Sequence, residues 1–364
     1  MDTGFDDTAD VGKIDVHHHL EWEGYISRVR DAGIVPAHGS GFPDWSPGKS
    51  IELMDRDGIR AAILSLSSPG VYFEGTTFAE ELAHECNDYA ATLVGDRPDR
   101  FGFFATLPMP LVEPSIREAA RALDELEADG IGLLASSGDK FLGDPDFEEL
   151  MAELDRRHAV VFIHPNIHST SERLGLPMPG FLTEFLFDTT RAVTNLVWSG
   201  TMERHPRIRW ILPHAGGTVP FIAWRLSLAN MQSPDFIARA PRGFLAYLRE
   251  FYYDTALSTS SFAMTSLREL VDPSRILFGS DFPYAPAQLV SKEIEDLRGL
   301  PQFDEAERVL IDSKNALELF PRFKPTGASV SEDTGAPRPH ARREGKLPLV
   351  TRLALALMRS AMGS

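Results

Sequence analysis

The sequence has little cysteine, little positive charge and no long uninterrupted apolar run. Its single cysteine, Cys86, allows no disulfide within the chain, which favours a reducing compartment and a cytoplasmic location. The net charge of −17 argues against nucleic acid or an anionic membrane as a partner. The N-terminal MDTGFDDTADVG lacks the basic end and apolar run of a signal peptide. Near the C-terminus, LPLVTRLALALM is too short to span a bilayer.

Short β-branched or aromatic runs alternate along the chain with segments of helical period, such as 115–130 and 146–158. The runs lie at 13–20, 61–66, 101–107, 130–136, 159–165, 208–214, 251–257 and 275–282. Strands that alternate with helices form a parallel sheet, and eight strands close a barrel. A doubly wound open sheet is the competing fold, but no glycine-rich phosphate turn follows the first run. We therefore predict an α/β fold, a (β/α)8 TIM barrel.

The predicted barrel occupies only part of the chain. From Arg322 onward there are eight Lys/Arg and three Asp/Glu, a net of +5, which leaves −22 for residues 1–321. The same segment is rich in Pro, Gly and Ser, a composition typical of disorder. We predict a flexible N-terminus at 1–12, a barrel domain at 13–320, and a Pro/Gly-rich tail at 321–364 with room for a short C-terminal helix.

The first predicted strand, KIDVHHHL, ends in three consecutive histidines. Side chains two residues apart share one face of a strand. We therefore expect His17 and His19 to point the same way, and Val16, His18 and Leu20 to point to the other face. A His-x-His pair at the end of a barrel strand can bind a divalent metal, but alone it is a weak signal.

Three more predicted strands end in a residue type that binds metal. These residues are His164 in FIHPN, His214 in ILPHAGG and Asp281 in FGSDFP. Because the carboxyl ends of barrel strands converge on one face, we expect all of these side chains to meet there. Histidine and carboxylate are typical ligands of zinc. The alternative is that each is a buried polar residue paired with a neighbour.

This order of residues resembles the amidohydrolase superfamily, with its barrel of the metal-dependent hydrolase type. The similarity is greatest to the branch that contains aminocarboxymuconate-semialdehyde decarboxylase, and within it to 6-methylsalicylate decarboxylase-like members. It is carried by IDVHHHL, FGFFATLPM, FIHPN, MERHPRIRWILPHAGGTVPF, RILFGSDFPY and WSPGKSIELMDRDGIRAAILSLSSPGV. The resemblance implies that His17, His19, His164 and Asp281 bind the metal. It also implies that His214 activates or orients a bound water or the substrate.

Two further features bear on the metal count and the substrate. In the family that this sequence resembles, mononuclear members lack a carboxylated lysine after the fourth strand. Here that strand ends LLASSGDK, with serines where a bridging lysine would be needed and Lys140 well past the strand, so the resemblance implies one ion. The stretch DAGIVPAHGSGFPDWSPGKS lacks the arginine that grips a second carboxylate in the semialdehyde decarboxylase. This favours an aromatic monocarboxylate. The predicted substrate contacts are Arg225, Trp22, Phe42, Trp45 and Tyr284. For the four aromatic residues, the alternative is that they only anchor their loops.

The resemblance implies a metal-dependent decarboxylase of an aromatic ortho-hydroxy acid such as a 6-methylsalicylate-like compound. The same residues can also support metal-dependent hydrolysis of a lactone or amide. A third reading, a non-enzymatic metal-binding protein, would require a degenerate site. Zinc is the expected ion and manganese the alternative. The family resemblance also implies a homodimer, with a small aromatic acid as the substrate.

Overall fold

A computed structural model describes residues 12–34, 41–73, 75–173 and 175–325. Most of the predicted flexible N-terminus and nearly all of the predicted tail lie outside these residues. Among the helices that are described, none has both the length and the apolar composition needed to cross a bilayer.

Eight parallel strands form one sheet in chain order, which confirms the predicted barrel. We number them β1 Lys13–His19, β2 Ile59–Ser65, β3 Phe101–Thr106, β4 Gly130–Leu134, β5 Val160–His164, β6 Arg209–Leu212, β7 Tyr252–Asp254 and β8 Ile276–Leu277. The chain that follows β8 closes the cylinder, because the backbone N–H of His19 donates to Phe282 O at 2.7 Å and that of Asp281 donates to His17 O at 2.8 Å. Ser136–Ser137 and Lys140–Phe141 pair as a small antiparallel hairpin.

Helices follow the strands and surround the sheet. The α-helices are Glu23–Asp31, Pro47–Asp57, Thr76–Asp96, Val112–Asp124, Glu148–Arg156, Ser169–Glu172, Glu184–Trp198, Thr201–Arg204, Val219–Ser227, Ala229–Gln232, Pro234–Arg239, Phe244–Leu248, Ser261–Leu270, Ala287–Gly299, Glu305–Val309 and Asn315–Leu319, the last two joined by a π-helical turn at Leu310–Lys314. The helix Pro47–Asp57 shows why such segments start and stop. Ser46 accepts a hydrogen bond from the N–H of Lys49, and Gly58 ends the helix at φ 69°.

The strands bury side chains on both faces, which divides the core into two layers. Inward residues such as Ile63, Phe104, Phe162 and Ile211 fill the barrel. Outward residues pack against the helices in a larger cluster. Phe323 belongs to the inner layer. The chain just after the last α-helix therefore closes the amino end of the barrel, opposite the carboxyl ends of the strands.

Strand β1 contains a β-bulge that changes its alternation. Asp15 lies opposite Ala62 but His18 lies opposite Leu64, so three residues of β1 match two of β2. Val16 therefore packs in the inner layer rather than outward as expected. Since the bulge inserts one residue, the following His17 also faces inward, whereas His18 faces outward as expected.

Candidate metal centre

Four side chains that the sequence predicts as metal ligands converge at the carboxyl end of the barrel. One ligand atom from each of His17, His19, His164 and Asp281 lies within 4.8 Å of every other, and all four residues are buried. We call these four residues the metal-site cluster. They come from β1, from β5 and from the turn after β8, so the barrel alone brings them together.

Each histidine of the cluster is anchored through its Nδ1 atom to an oxygen. Nδ1 of His17 lies 2.7 Å from Asp254 Oδ2, that of His19 lies 3.2 Å from Ser65 O, and that of His164 lies 2.8 Å from Pro165 O. A carboxylate or carbonyl oxygen only accepts hydrogen bonds, so Nδ1 carries the proton in each ring. The lone pair is then on Nε2, which is the state in which imidazole binds a metal.

The free ring nitrogens face one another and the carboxylate. His17 Nε2 lies 3.0 Å from His19 Nε2, and Asp281 Oδ1 lies 2.9 Å from the latter and 3.3 Å from the former. Ligands that share one zinc ion at about 2.0–2.2 Å each must lie about this close together. Three neutral nitrogens and one carboxylate also form a donor set typical of zinc. The residues therefore fit a divalent cation.

The electrostatics of the cluster are consistent with this ligand set. Burial lowers the pKa of His19 and holds the pKa of His164 well below its usual range, so both are neutral. Burial also opposes charge on His17, but Asp254 and Asp281 outweigh it and raise the pKa of His17 to about 10. Burial by itself would raise the pKa of Asp281, but His17 and the adjoining histidines outweigh it and hold this pKa well below its usual range. A cation bound at Nε2 of His17 must therefore displace a proton.

His214 lies beside the cluster, two residues past β6. Its Nε2 is 3.4 Å from Asp281 Oδ2, and its backbone N–H donates to Asp254 Oδ1 at 2.7 Å. The residue has a φ of 52°, a strained value for a non-glycine residue. Its buried Nδ1 has no hydrogen-bond partner among the described residues. The ring is therefore held next to the carboxylate and keeps one nitrogen available.

Tyr284 contacts the cluster from the turn after β8. Its ring lies edge-on to His19, with the centroids 5.3 Å apart, and its hydroxyl donates to Glu21 Oε1 at 2.7 Å. Burial raises the pKa of Glu21 to about 8, although the Tyr284 hydrogen bond lowers it. A carboxyl group that is mainly protonated at neutral pH thus lies two residues beyond His19.

The other predicted substrate contacts lie against different parts of the structure. Trp22 stacks on Tyr89 with the ring centroids 4.8 Å apart. Phe42 meets Tyr25 edge-on, and Trp45 donates through Nε1 to Ser50 Oγ. Arg225 is exposed on the helix Val219–Ser227. Their roles toward a substrate stay predictions.

Sequence reasoning missed two groups that organise the cluster. Asp254 ends β7 in the same way that His164 ends β5, so the rule of polar strand ends applied to it too. Ser65 ends β2 and accepts from His19 through its carbonyl oxygen. Because the acceptor is a main-chain oxygen, which every residue has, no pattern of side chains in the sequence could predict this contact.

Comparison with known proteins supports one family. A family model described as "Amidohydrolase" matches residues 14–322. The chain is 37% identical to decarboxylase yanB of Aspergillus niger, over 86% of this chain and 89% of that protein. It is 35% identical to the 6-methylsalicylic acid decarboxylase acuB of Aspergillus aculeatus, over 86% and 97%. A crystal structure of a dihydroxybenzoic acid decarboxylase from Polaromonas sp. JS666, with bound manganese and the inhibitor 2-nitroresorcinol, matches with a TM-score of 0.73 and 27% identity, over 85% of this chain and 97% of that one.

Proposed function

The chain belongs to the amidohydrolase family, and we propose that it is a metal-dependent decarboxylase of an aromatic ortho-hydroxy carboxylic acid. A 6-methylsalicylate-like compound is the proposed substrate. The observation that carries the proposal is the convergence of three imidazole nitrogens and one carboxylate oxygen within 4.8 Å, in a chain whose relatives are named decarboxylases.

We propose a single divalent ion held by His17, His19, His164 and Asp281. Zinc is our first choice because three of the four donors are neutral imidazoles. Manganese is the alternative, because a relative was crystallised with it. When bound, a divalent cation orients the carboxylate and the ortho hydroxyl of the substrate and stabilises negative charge that develops on their oxygens.

The protein's own side chains supply the proton transfer. Asp281 delivers a proton to the ring carbon that bears the carboxylate, the bond from that carbon to the carboxylate then breaks, and its electron pair returns to the ring as CO₂ leaves. The low pKa of Asp281 means that its proton must first arrive from a neighbour. His214 Nε2, 3.4 Å from Oδ2, is the group in position to pass it.

Product analysis tests the proposal. Protein loaded with zinc or with manganese is given salicylate, 6-methylsalicylate and 2,6-dihydroxybenzoate, and separately a panel of lactones. We expect CO₂ and the corresponding phenol from at least one hydroxybenzoate. No CO₂ from any of the acids would refute the lyase function, and ring opening of a lactone would favour hydrolysis.

The homodimer and the cytoplasmic location also stay predictions. The helix Val219–Ser227 exposes Phe221 by 84% and Trp224 by 60%. Exposed aromatic side chains of this size are enriched at protein interfaces, which supports a second copy as the partner at this helix.

A further inference from the structure

A cleft opens directly beside the metal-site cluster. His164 and Phe162 form part of its wall, so it borders the cluster at His164. Most of the other lining residues have apolar side chains. The wall is completed by Leu66, Pro69, Gly70, Val71, Tyr72, Thr106, Leu107, Met109, Gly132, Leu133, Leu134, Ser137, Gly138 and Asn166. Among these described lining residues none is an Asp, Glu, Lys or Arg. We call this space the substituent cleft.

The strand register fixes how close the cleft lies to the metal ligands. Leu134 of β4 is the direct neighbour of His164 on β5, and Gly132 is the neighbour of Phe162. Thr106 of β3 lies on the other side of Gly132. Leu134 and Gly132 share the inward face of β4, since Ile131 and Leu133 belong to the outer layer. The ring of a substrate bound next to His164 would therefore meet Leu134 and Gly132 on the side that faces β4.

Neither the backbone conformation nor close packing requires a glycine at position 132. Its φ is not in the left-handed region. A Cβ added there would meet Phe104 Cβ at 3.6 Å, which is an ordinary van der Waals contact. The preceding glycine of the strand differs, because a Cβ at Gly130 would lie 2.4 Å from Val160 O. Gly130 is needed for close packing, whereas Gly132 only keeps the cleft open.

We propose that the substituent cleft receives a small alkyl group on the substrate ring, and that Gly132 sets how large this group can be. This inference rests on the proposed function. The cleft borders His164, and we assign it to the substituent next to the chelating carboxylate, which is position 6 of a salicylate. The lining residues carry no charged side chain, and apolar side chains such as Leu134 and Phe162 favour methyl or ethyl there. A second carboxylate would be buried without a cationic partner, which is unfavourable.

The experiment measures selectivity in the metal-loaded protein. Wild type and Gly132→Ala are compared by kcat/KM for salicylate and 6-methylsalicylate, and by the affinity of the two acids measured calorimetrically. One methylene in a hydrophobic pocket changes selectivity by roughly 10- to 200-fold. We expect Gly132→Ala to lower the preference for 6-methylsalicylate over salicylate by at least about tenfold on this scale. Gly95→Ala is the matched control, because a Cβ at Gly95 would meet nothing within 4 Å.

A second variant changes the cleft in the opposite direction. Leu134→Ala removes side-chain volume from the wall next to His164 and so enlarges the cleft. We expect it to raise the preference for 6-ethylsalicylate over 6-methylsalicylate by about tenfold. Unchanged ratios in both folded variants would overturn the inference. Failure of the proposed function looks different, because then wild type releases no CO₂ from any acid. The binding ratios still report on the cleft in that case, and they support or refute it independently of turnover.

Discussion

Replacing Asp254 with asparagine tests how the metal-site cluster is held. Oδ1 of Asp254 accepts from the backbone N–H groups of His214 and Ala256, at 2.7 and 3.1 Å, while Oδ2 accepts from His17. In Asp254→Asn the amide oxygen stays with the two N–H donors, so the NH₂ group faces Nδ1 of His17. Two donors cannot pair, and the imidazole must move its proton to Nε2, the atom that binds metal.

The expected loss of metal affinity follows from this change of tautomer. Removing the oxygen partner of a metal-bound histidine weakens metal binding by about 10- to 100-fold, or about 1.4–2.8 kcal/mol. Competition with a chromogenic chelator near pH 10, where little proton remains to be displaced from His17 in either protein, measures it. In wild type, the His17 pKa of about 10 means that affinity falls as pH falls below that value, by up to about tenfold per unit. This dependence should weaken in the variant, because Asp254 is the largest of the effects that raise this pKa.

The matched control is Asp15→Asn on the opposite face of the same strand. Asp15 Oδ2 lies 2.9 Å from His18 Nδ1, and His18 Nε2 lies 2.8 Å from Ser50 Oγ. A serine hydroxyl both donates and accepts, so His18 can exchange tautomers without loss, and its ring faces no metal ligand. Asp15 also accepts from the backbone N–H of His17 at 3.1 Å, so we expect Asp15→Asn to cost stability and to lower metal affinity less than Asp254→Asn does, because it leaves the tautomer of His17 unchanged. If Asp254→Asn binds metal as tightly as wild type while its circular dichroism is unchanged, the assigned role of Asp254 is wrong.

Two further predictions follow from the same geometry. Asp281→Asn should fold, because its backbone N–H still donates to His17 O, but CO₂ release should fall below detection since the proton carrier is gone; surviving turnover would refute that role. Glu21→Gln should become more stable relative to wild type as pH rises. The folded-state pKa of Glu21 is raised from 4.5 to about 8, so its stabilising contribution is complete below pH 4.5 and is lost as pH approaches 8, by up to about 1.4 kcal/mol per unit. Urea unfolding at pH 5, 6, 7 and 8 measures the difference, and a constant difference would contradict the assignment.

The number and type of strands could be predicted because their signal is local. Each barrel strand is a short apolar run, and all eight predicted runs overlap the observed strands. Their ends were less accurate. The run at 275–282 contains only two residues of regular strand, Ile276–Leu277. The rest closes the barrel through bonds to β1 that depend on tertiary structure.

The convergence of the four candidate ligands could be predicted for the same reason, but the groups that anchor them could not. His164 and Asp281 are polar residues at the ends of apolar runs, and barrel closure makes such ends converge. The anchoring of each Nδ1 depends on atoms from other strands. Trp45 donates through Nε1 to Ser50 Oγ, a contact that its local sequence does not indicate, and its role toward a substrate stays a prediction. Loop side chains follow long-range packing that no short pattern records.

The three consecutive histidines are explained by the bulge that separates their roles. His17 and His19 face inward toward the candidate metal site, and His18 pairs outward with Asp15. That aspartate also accepts from Ser280, through its backbone N–H at 3.0 Å and its hydroxyl at 2.6 Å. Ser280 directly precedes Asp281, so the outer pair joins β1 to the turn that carries the carboxylate ligand. The middle histidine, whose ring hydrogen-bonds to Asp15 and Ser50 and to no member of the metal-site cluster, therefore helps to hold the turn that carries Asp281 against β1.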